Sequence, residues 1–205
     1  TIASAGDVLY DKNVKSELIK SWEVGADLRF FNNRFGIDAA WYKTNATNQL
    51  LNIPMDAFSG YRSRKINAGN IENQGVEISL TGTIMENEKG FNWDAQAHFS
   101  KNVSKIIELT EGVSVYDIWT GDALQVAATE GGKYGDIYGK KFVRHEGQIV
   151  VDDAGLPLIT TDKELIGNQN PDWMLGFTNH FSYKNFDLSF LIDFRIGGEM
   201  YSSTL

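Results

Sequence analysis

The chain has 205 residues and a formal net charge of −8 at pH 7, which argues against a nucleic-acid partner because such a partner requires a basic surface. It contains no cysteine, so disulfides, thiolate nucleophiles and cysteine-type zinc sites are excluded. No apolar segment approaches the roughly 20 residues that a membrane-spanning helix needs, although a β-strand crosses a membrane with only about 9–11 alternating residues.

Residues 1–19 are mixed and polar, and we interpret them as a lead-in. Residues 20–100 alternate apolar and polar side chains, which is typical of β-strands with one apolar face, and they predict two hairpins with turns at 32–34 and 85–90. The apolar positions of the first hairpin are Trp22, Val24, Ala26, Leu28, Phe30, Phe35, Ile37, Ala39 and Trp41. Those of the second are Val76, Ile78, Leu80, Ile84, Phe91, Trp93, Ala95, Ala97 and Phe99.

Residues 171–205 predict a third hairpin with a turn at 183–185. Its first strand places Trp173, Leu175, Phe177, Asn179 and Phe181 on one face. Its second strand places Phe186, Leu188, Phe190, Ile192 and Phe194 on the same face, with Asp193 and Arg195 opposite.

The connections between these strands differ in length in a regular way. The turns within hairpins are short, whereas the connections 43–70 and 101–170 are long, and this asymmetry is typical of membrane β-barrels, whose turns are short at one rim and long at the other. The segment 101–170 is too long for a simple loop, so we expect a structured extracellular excursion with a hairpin near 152–155. The predicted fold is therefore all-β, an antiparallel meander of transmembrane β-barrel hairpins that forms part of a barrel wall.

In such a wall the apolar face contacts lipid. The aromatic residues predicted to face lipid are Trp22, Phe30, Trp41, Trp93, Phe99, Phe177, Phe190 and Phe194. A soluble β-sandwich would show the same alternation, but it would bury this face in a core shared by two sheets.

Candidate catalytic and metal-binding residues have ordinary explanations. The strand carboxylates Asp27, Asp38, Glu77, Asp94, Asp187 and Asp193 all fall on polar faces, where a water-facing wall explains them better than a glycosidase pair. His98, His145 and His180 lie far apart and lack metal-ligand spacing. The run 152–155 is similar to a calcium loop, but Val150 and Thr161 occupy the positions where an EF-hand needs carboxylates. No catalytic residue, metal or cofactor is predicted.

Two other groups of side chains are candidates for contacts. The aromatic residues of the excursion could touch a substrate or a partner, or could pack its own small core: Tyr116, Trp119, Tyr134 and Tyr138. Arg62, Arg64 and Lys65 form a basic cluster, which is a lipopolysaccharide contact, a contact with a loop or simply a solvated surface.

Several stretches match a known family in order along the chain. The first are SWEVG at 21–25, FNNR at 31–34, WYK at 41–43 and TNQLL at 47–51. The others are NAGNIENQGVE at 67–77, EGG at 130–132, YGDIYG at 134–139 and IGNQNPDW at 166–173, continuing to the glycine pair at 197–198. On these residues the chain resembles the SusC/RagA class of TonB-dependent outer-membrane transporters.

The resemblance implies that this chain supplies about six later strands of a larger barrel, and nothing in it resembles the family's plug, TonB-binding segment or last strand. It also implies location in the bacterial outer membrane and import of oligosaccharides or peptides. The implied partners are a SusD-like surface lipoprotein and the TonB complex, the latter through N-terminal parts that this chain lacks. The alternatives are a soluble β-sandwich glycan-binding module that uses its loop aromatics and, third, a glycan-active enzyme.

Overall fold

A computed structural model describes residues 8–55, 57–67, 69–110, 112–121 and 123–202. Residues 1–7 of the predicted lead-in, Ala68 in one family-like stretch and Leu205 lie outside the described residues. The strands are β1 Val8–Tyr10, β2 Leu18–Phe30, β3 Phe35–Thr47, β4 Leu50–Pro54, β5 Ser63–Asn67, β6 Asn70–Met85, β7 Phe91–Glu108, β8 Val115–Thr120, β9 Leu124–Thr129, β10 Asp136–Gly139, β11 Arg144–His145, β12 Gln148–Ile149, β13 Glu164–Asn168, β14 Pro171–Tyr183 and β15 Phe186–Gly197. A 3-10 turn occupies Ala57–Ser59. The described part of the chain contains no helix that is long and apolar enough to cross a membrane.

The chain divides into two compact units. The first, which we call the loop unit, comprises residues 1–20, 45–72 and 105–169, and the second, the wall unit, comprises residues 21–44, 73–104 and 170–205.

The wall unit is built on the six-stranded sheet in the order β15-β14-β7-β6-β3-β2. The neighbours β2/β3, β6/β7 and β14/β15 are the three predicted hairpins, so the prediction of an all-β meander of antiparallel hairpins is confirmed. The sheet forms because each strand alternates apolar and polar residues over 12 to 18 positions, which gives every strand a preferred face.

The turns of the wall unit use residues that tolerate a left-handed backbone. Asn32 and Asn33 have φ values of 53° and 68° between β2 and β3, and Lys184 has a φ of 54° in the two-residue turn between β14 and β15. The turn between β6 and β7 is held by Asn87, whose Oδ1 accepts the Lys89 N–H at 3.1 Å. These turns lie at the predicted positions, and they fix the register in which the strands pair.

The described residues of the loop unit form three small sheets. They are β1-β5-β4, β13-β10-β9-β8 and the hairpin β11-β12. Its hydrophobic cluster is formed by Ile106, Leu109 and Ala128, with Leu51, Ile71, Val113, Tyr116 and Ile118 packed around them. The chain turn at 152–155 is closed by a hydrogen bond from the Gly155 N–H to the Asp152 carbonyl at 2.9 Å, in the place where a hairpin was expected.

The structure differs from the predicted ranges in three places. The lead-in contains β1, because Val8–Tyr10 pairs in parallel with the edge strand β5. The connection 43–70 contains the antiparallel pair β4 and β5. Strand β7 continues to Glu108 rather than ending near residue 100, because Ile106 remains hydrogen-bonded to the turn at 131–132. The parallel pairing of β1 with β5 and the hydrogen bonds of Ile106 join distant segments, and the local pattern does not encode such contacts.

Candidate functional site

The apolar face of the wall unit is continuous across β15, β14 and β7. Residues that pair directly in an antiparallel sheet point to the same side, so the registers define this face. Its cross-strand rows are Phe194–Leu175–Phe99, Ile192–Phe177–Ala97, Phe190–Asn179–Ala95, Leu188–Phe181–Trp93 and Phe186–Tyr183–Phe91.

The strands β2, β3 and β6 continue the same two-sided arrangement. The Ser21 and Thr44 hydroxyls lie 2.9 Å apart, and a Cβ added at Gly36 would come 2.6 Å from the Thr81 hydroxyl, so odd positions of β2 and β6 share the polar side with even positions of β3. The Ser79 hydroxyl lies 3.0 Å from Nδ1 of His98, which places even positions of β7 on the same side. On the other side, the rings of Phe30 and Phe35 have centroids 6.1 Å apart. All eight residues predicted to face lipid therefore lie on one side of the sheet.

These aromatic side chains are poorly covered within the chain. Trp22 is 76% exposed and Phe186 is 78% exposed, and Phe30, Trp41, Phe190 and Phe194 are also exposed. The residues on the central strands, Trp93, Phe99 and Phe177, are half-buried by their neighbours. A soluble monomer rarely exposes an apolar patch larger than a few hundred Å², so this face requires a cover.

Aromatic rings cluster on this face toward the turn ends of β7 and β14. The centroid of Phe181 lies 5.7 Å from Phe91, 5.6 Å from Trp93 and 5.9 Å from Phe190. Such tilted and offset ring pairs add about 0.5–1.5 kcal/mol each beyond the area that they bury. The cluster has the composition of an interfacial aromatic girdle.

Asn179 places a polar amide within the apolar face. Asn179 is only 3% exposed, and its Oδ1 accepts a hydrogen bond from Nε1 of Trp93 at 3.0 Å. The alternation placed Asn179 on this face, but it did not reveal the partner, which lies 86 positions away in sequence.

The polar face carries a ladder of hydrogen-bonding side chains. The Thr83 hydroxyl donates to Asp94 at 2.7 Å, and His180 pairs opposite Asp94 in the register of β7 and β14. Nε2 of His180 lies 3.6 Å from Asp187, and both of these side chains are exposed to solvent. Exposed groups of this kind suit a water-facing wall rather than a dry catalytic pocket. Among the described residues, no group of three or more His, Asp or Glu side chains could hold a metal ion.

Tyr42 of β3 contacts β6 and β7 on the same polar face. The ring of Tyr42 lies over Gly75, where an added Cβ would come 2.5 Å from the phenol oxygen. The Tyr42 hydroxyl donates to Oδ1 of Asn102 at 3.2 Å. Gly75 is therefore required because a ring occupies the place of its side chain.

The four aromatic candidates of the loop unit divide into two pairs. Tyr116 packs against the hydrophobic cluster, and the Tyr138 hydroxyl lies 3.0 Å from that of Thr129, so both have structural partners within the unit. Trp119 is 52% exposed and lies over Gly121, and Tyr134 is also exposed. Trp119 and Tyr134 are thus the exposed pair, whereas Tyr116 and Tyr138 are half-buried.

A buried carboxylate holds the turn that follows β9. Asp136 is 5% exposed, and its Oδ2 accepts the Lys133 N–H at 2.9 Å. Its Oδ1 accepts Nδ2 of Asn168 at 2.9 Å, and the same Nδ2 donates to the Tyr134 carbonyl at 3.2 Å. Asp136 and Asn168 belong to two of the family-like stretches. These two residues of the resemblance therefore stabilise a turn.

The predicted basic cluster has an internal partner. The Arg64 guanidinium forms an ion pair with Asp11, next to the parallel pairing of β1 with β5. The Asn13 N–H, which donates to Asp11 at 2.9 Å, and the Arg64 guanidinium together hold the pKa of the Asp11 carboxyl below its usual value. Arg64 thus has a role in holding the loop unit together.

The whole sequence matches one family. The family model described as TonB dependent receptor-like, beta-barrel, covers residues 2–204. TonB-dependent receptor P3 of Formosa agariphila is 29% identical over 94% of this chain and 22% of that receptor. TonB-dependent receptor SusC of Bacteroides thetaiotaomicron is 27% identical over 94% of this chain and 20% of that receptor.

A solved structure has the same fold. The RagAB peptide transporter superimposes with a TM-score of 0.69 at 24% identity, over 88% of this chain and 21% of the transporter chain. The present chain therefore spans about a fifth of the length of the relatives that it matches.

Proposed function

The chain belongs to the TonB-dependent receptor-like β-barrel family, and we propose that it forms wall strands and loops of an outer-membrane, TonB-dependent importer of oligosaccharides or peptides. The observation that carries this proposal is the continuous, exposed aromatic face of the six-stranded sheet. Lipid covers that face in the membrane, while the polar face contacts the water-filled interior of the barrel.

The peptide class is supported by similarity to RagAB, whose structure is that of a peptide transporter. The oligosaccharide class is the expectation that follows from the resemblance to the SusC/RagA class. In the importer that we propose, Trp119 and Tyr134 offer rings to a substrate or partner, while Tyr116 and Tyr138 support the surface beneath such contacts. In this proposal the role of the chain in transport is to form the wall and the binding surfaces.

The proposed partners act on different parts of the importer. A SusD-like surface lipoprotein contacts the loop unit on the extracellular side, and the TonB complex supplies energy through parts of the protein outside this chain. This arrangement is supported by similarity to SusC and RagAB and by the contrast between short turns and long connections.

Lipid contact can be tested by fluorescence quenching of the complete importer in vesicles. We expect doxyl-labelled lipid to quench Trp22 and Trp41, so that Trp22→Phe and Trp41→Phe each remove lipid-quenched emission. Trp119→Phe is the matched control, and it should remove emission that aqueous iodide quenches. If iodide rather than lipid quenches Trp22 and Trp41, the wall assignment is wrong.

Import is tested separately by uptake of a labelled oligosaccharide and a labelled peptide into cells with and without functional TonB. The proposal is supported if the uptake of at least one probe stops in cells without functional TonB. It is contradicted if both probes enter the cells equally well without TonB.

The soluble β-sandwich is less well supported, because it requires a second sheet against the aromatic face. Among the described residues, that face is exposed, and the smaller sheets belong to the other compact unit. Light scattering of the isolated chain in detergent-free buffer distinguishes the two: a barrel wall should aggregate through its apolar face and open strand edges, whereas a sandwich should remain a monomer.

A further inference from the structure

The charges of the wall strands are divided between the two faces of the sheet. Seven carboxylates lie on the polar face, at positions that alternate with the apolar side chains: Glu23, Asp27, Asp38, Glu77, Asp94, Asp187 and Asp193. The apolar face carries two cations instead, Lys43 on β3 and Lys101 on β7. A charged side chain is costly beside lipid tails and is placed where it reaches polar headgroups. These two lysines therefore mark an edge of the lipid-covered face.

Lys43 points to the apolar side of β3. The residues on either side of it contact polar partners on the other face: the Tyr42 ring lies over Gly75, and the Thr44 hydroxyl lies 2.9 Å from that of Ser21. Because successive side chains of a strand point to opposite faces, Lys43 shares the side of the exposed aromatic residues.

Lys101 points to the same side from β7. The next residue, Asn102, accepts a hydrogen bond from the Tyr42 hydroxyl on the polar face, so Lys101 lies on the side of Phe99. The rings of Phe99 and Trp173 have centroids 6.1 Å apart. Lys101 is exposed, and in the described part of the chain its ammonium group forms no ion pair.

Both lysines lie at the rim away from the short turns. Lys43 is eight residues beyond Phe35, where β3 begins, and Lys101 is ten residues beyond Phe91, where β7 begins. At about 3.4 Å per residue and a strand tilt of about 40°, they lie roughly 20–26 Å from the turn rim along the barrel axis. The apolar band of an outer-membrane barrel is about 25 Å tall, so both lysines lie at its extracellular edge. This position rests on the wall role proposed above.

The same rim carries indole rings. Trp22, Trp41 and Trp173 lie at the level of the two lysines, whereas the rings nearest the short turns include Phe30, Phe35, Phe91 and Phe186. Tryptophan is enriched where lipid headgroups meet the tails. An indole N–H and an ammonium group both donate hydrogen bonds and accept none, so this rim suits a headgroup rich in acceptors and negative charge.

The spacing of the lysines sets the width of that headgroup. β6 lies between β3 and β7, so Lys43 and Lys101 are two strand spacings apart, which is about 10 Å. A phosphorylated disaccharide headgroup can reach both ammonium groups at once, whereas the single phosphate of a glycerophospholipid is narrower. Hydrogen bonds from an ammonium group to phosphate oxygens are about twice as strong as those between neutral groups.

We propose that this rim binds the phosphorylated sugar headgroup of lipid A, the membrane-embedded part of lipopolysaccharide in the outer leaflet. Lys43 and Lys101 pair with its phosphate oxygens, and Trp22 and Trp41 pack where its sugars meet the acyl chains. The site fixes the depth of these strands in the membrane and requires neither TonB nor a transported substrate.

The test measures lipid binding to the complete importer in detergent by native mass spectrometry. The probes are lipid A, chemically dephosphorylated lipid A and phosphatidylglycerol, and we expect lipid A to bind most tightly. Lys43→Gln and Lys101→Gln should each weaken lipid A about fivefold, and the double variant about 25-fold, the usual effect of lysines beside an anionic membrane surface.

Two controls separate loss of charge from loss of structure. Lys89→Gln makes the same charge change in the turn between β6 and β7, at the opposite rim, and should leave the affinity for lipid A unchanged. The double variant Lys43→Arg with Lys101→Arg keeps both charges and should retain binding. The fraction of heat-resistant barrel on gels should be the same for all variants.

The proposal is overturned if lipid A does not bind the unaltered importer, or if the double glutamine variant binds it as tightly as the Lys89→Gln control. It is also overturned if dephosphorylated lipid A or phosphatidylglycerol binds as tightly as lipid A. Quenching of Trp22 and Trp41 by doxyl-labelled lipid without lipid A binding would remove this site alone. Lipid A binding without TonB-dependent uptake would remove the import function alone.

Discussion

Nε1 of Trp93 donates a hydrogen bond to Oδ1 of Asn179 at 3.0 Å, across the pair of strands β7 and β14 and within an otherwise apolar face. The bond satisfies an amide that is 3% exposed. In lipid, an amide without such a partner has no water to replace it.

Removing the donor should therefore destabilise the wall. We expect Trp93→Phe to cost about 1–3 kcal/mol, the usual penalty for leaving a buried polar group unsatisfied. Urea unfolding of the complete barrel in detergent would measure the loss. The double variant Trp93→Phe with Asn179→Val should recover part of it, because both polar partners are then absent. If the double variant is less stable than Trp93→Phe alone, the hydrogen bond does not have the stabilising role described here.

The two faces should respond differently to charge changes on β15. Phe190→Arg places a cation on the apolar face and should cost about 2–4 kcal/mol if the site lies near the middle of the bilayer. Asp193→Asn on the polar face should cost much less, since water already solvates that position. The fraction of heat-resistant barrel on gels measures both, and equal losses would contradict the assignment of faces.

Gly75 should tolerate no side chain. Gly75→Ala is expected to cost about 1–3 kcal/mol, because the new methyl group meets the Tyr42 ring and the Lys101 carbonyl oxygen at 2.7 Å. Gly176→Ala is the matched control, since the nearest atoms to its added Cβ are 3.6 Å away. Thermal unfolding of the two variants compares them directly. Equal melting temperatures would show that the Tyr42 ring moves to accommodate the added methyl group.

The ion pair between Asp11 and Arg64 should make one part of the loop unit sensitive to acid. The pKa of Asp11 is lowered in the folded state, so its stabilising contribution is complete above the ordinary value of 3.8 and is lost as the pH falls through the lower, folded value. Hydrogen exchange of Val8–Tyr10 should accelerate over that acid range. Asp11→Asn should remove this pH dependence. If hydrogen exchange of Val8–Tyr10 still accelerates in acid in this variant, another titrating group is responsible.

The parts of the fold that sequence reasoning predicted are those controlled by local alternation. Because side chains on a strand repeat every two residues, the phase of Trp22 or Phe190 determines its face without knowledge of the neighbouring strand. The short turns were also predictable, since Asn32 and Asn33 favour the backbone that they adopt.

The missed features depend on contacts between distant segments. The partner of Asn179 and the parallel pairing of Val8–Tyr10 with β5 each join residues that are far apart in sequence. No local periodicity encodes such pairings, so they were visible only in the structure.

The unequal connections of the sheet have a consequence for how such a chain can diverge. The two-residue turn at 184–185 sets the register of β14 and β15, and one inserted residue there would move side chains to the wrong face. In contrast, each doubling of a long flexible connection costs only about 0.6 kcal/mol of closure entropy. Insertions can therefore accumulate in the segments between β3 and β6 and between β7 and β14 while the wall remains unchanged, so the loop unit can change in length and composition at little cost to the stability of the sheet.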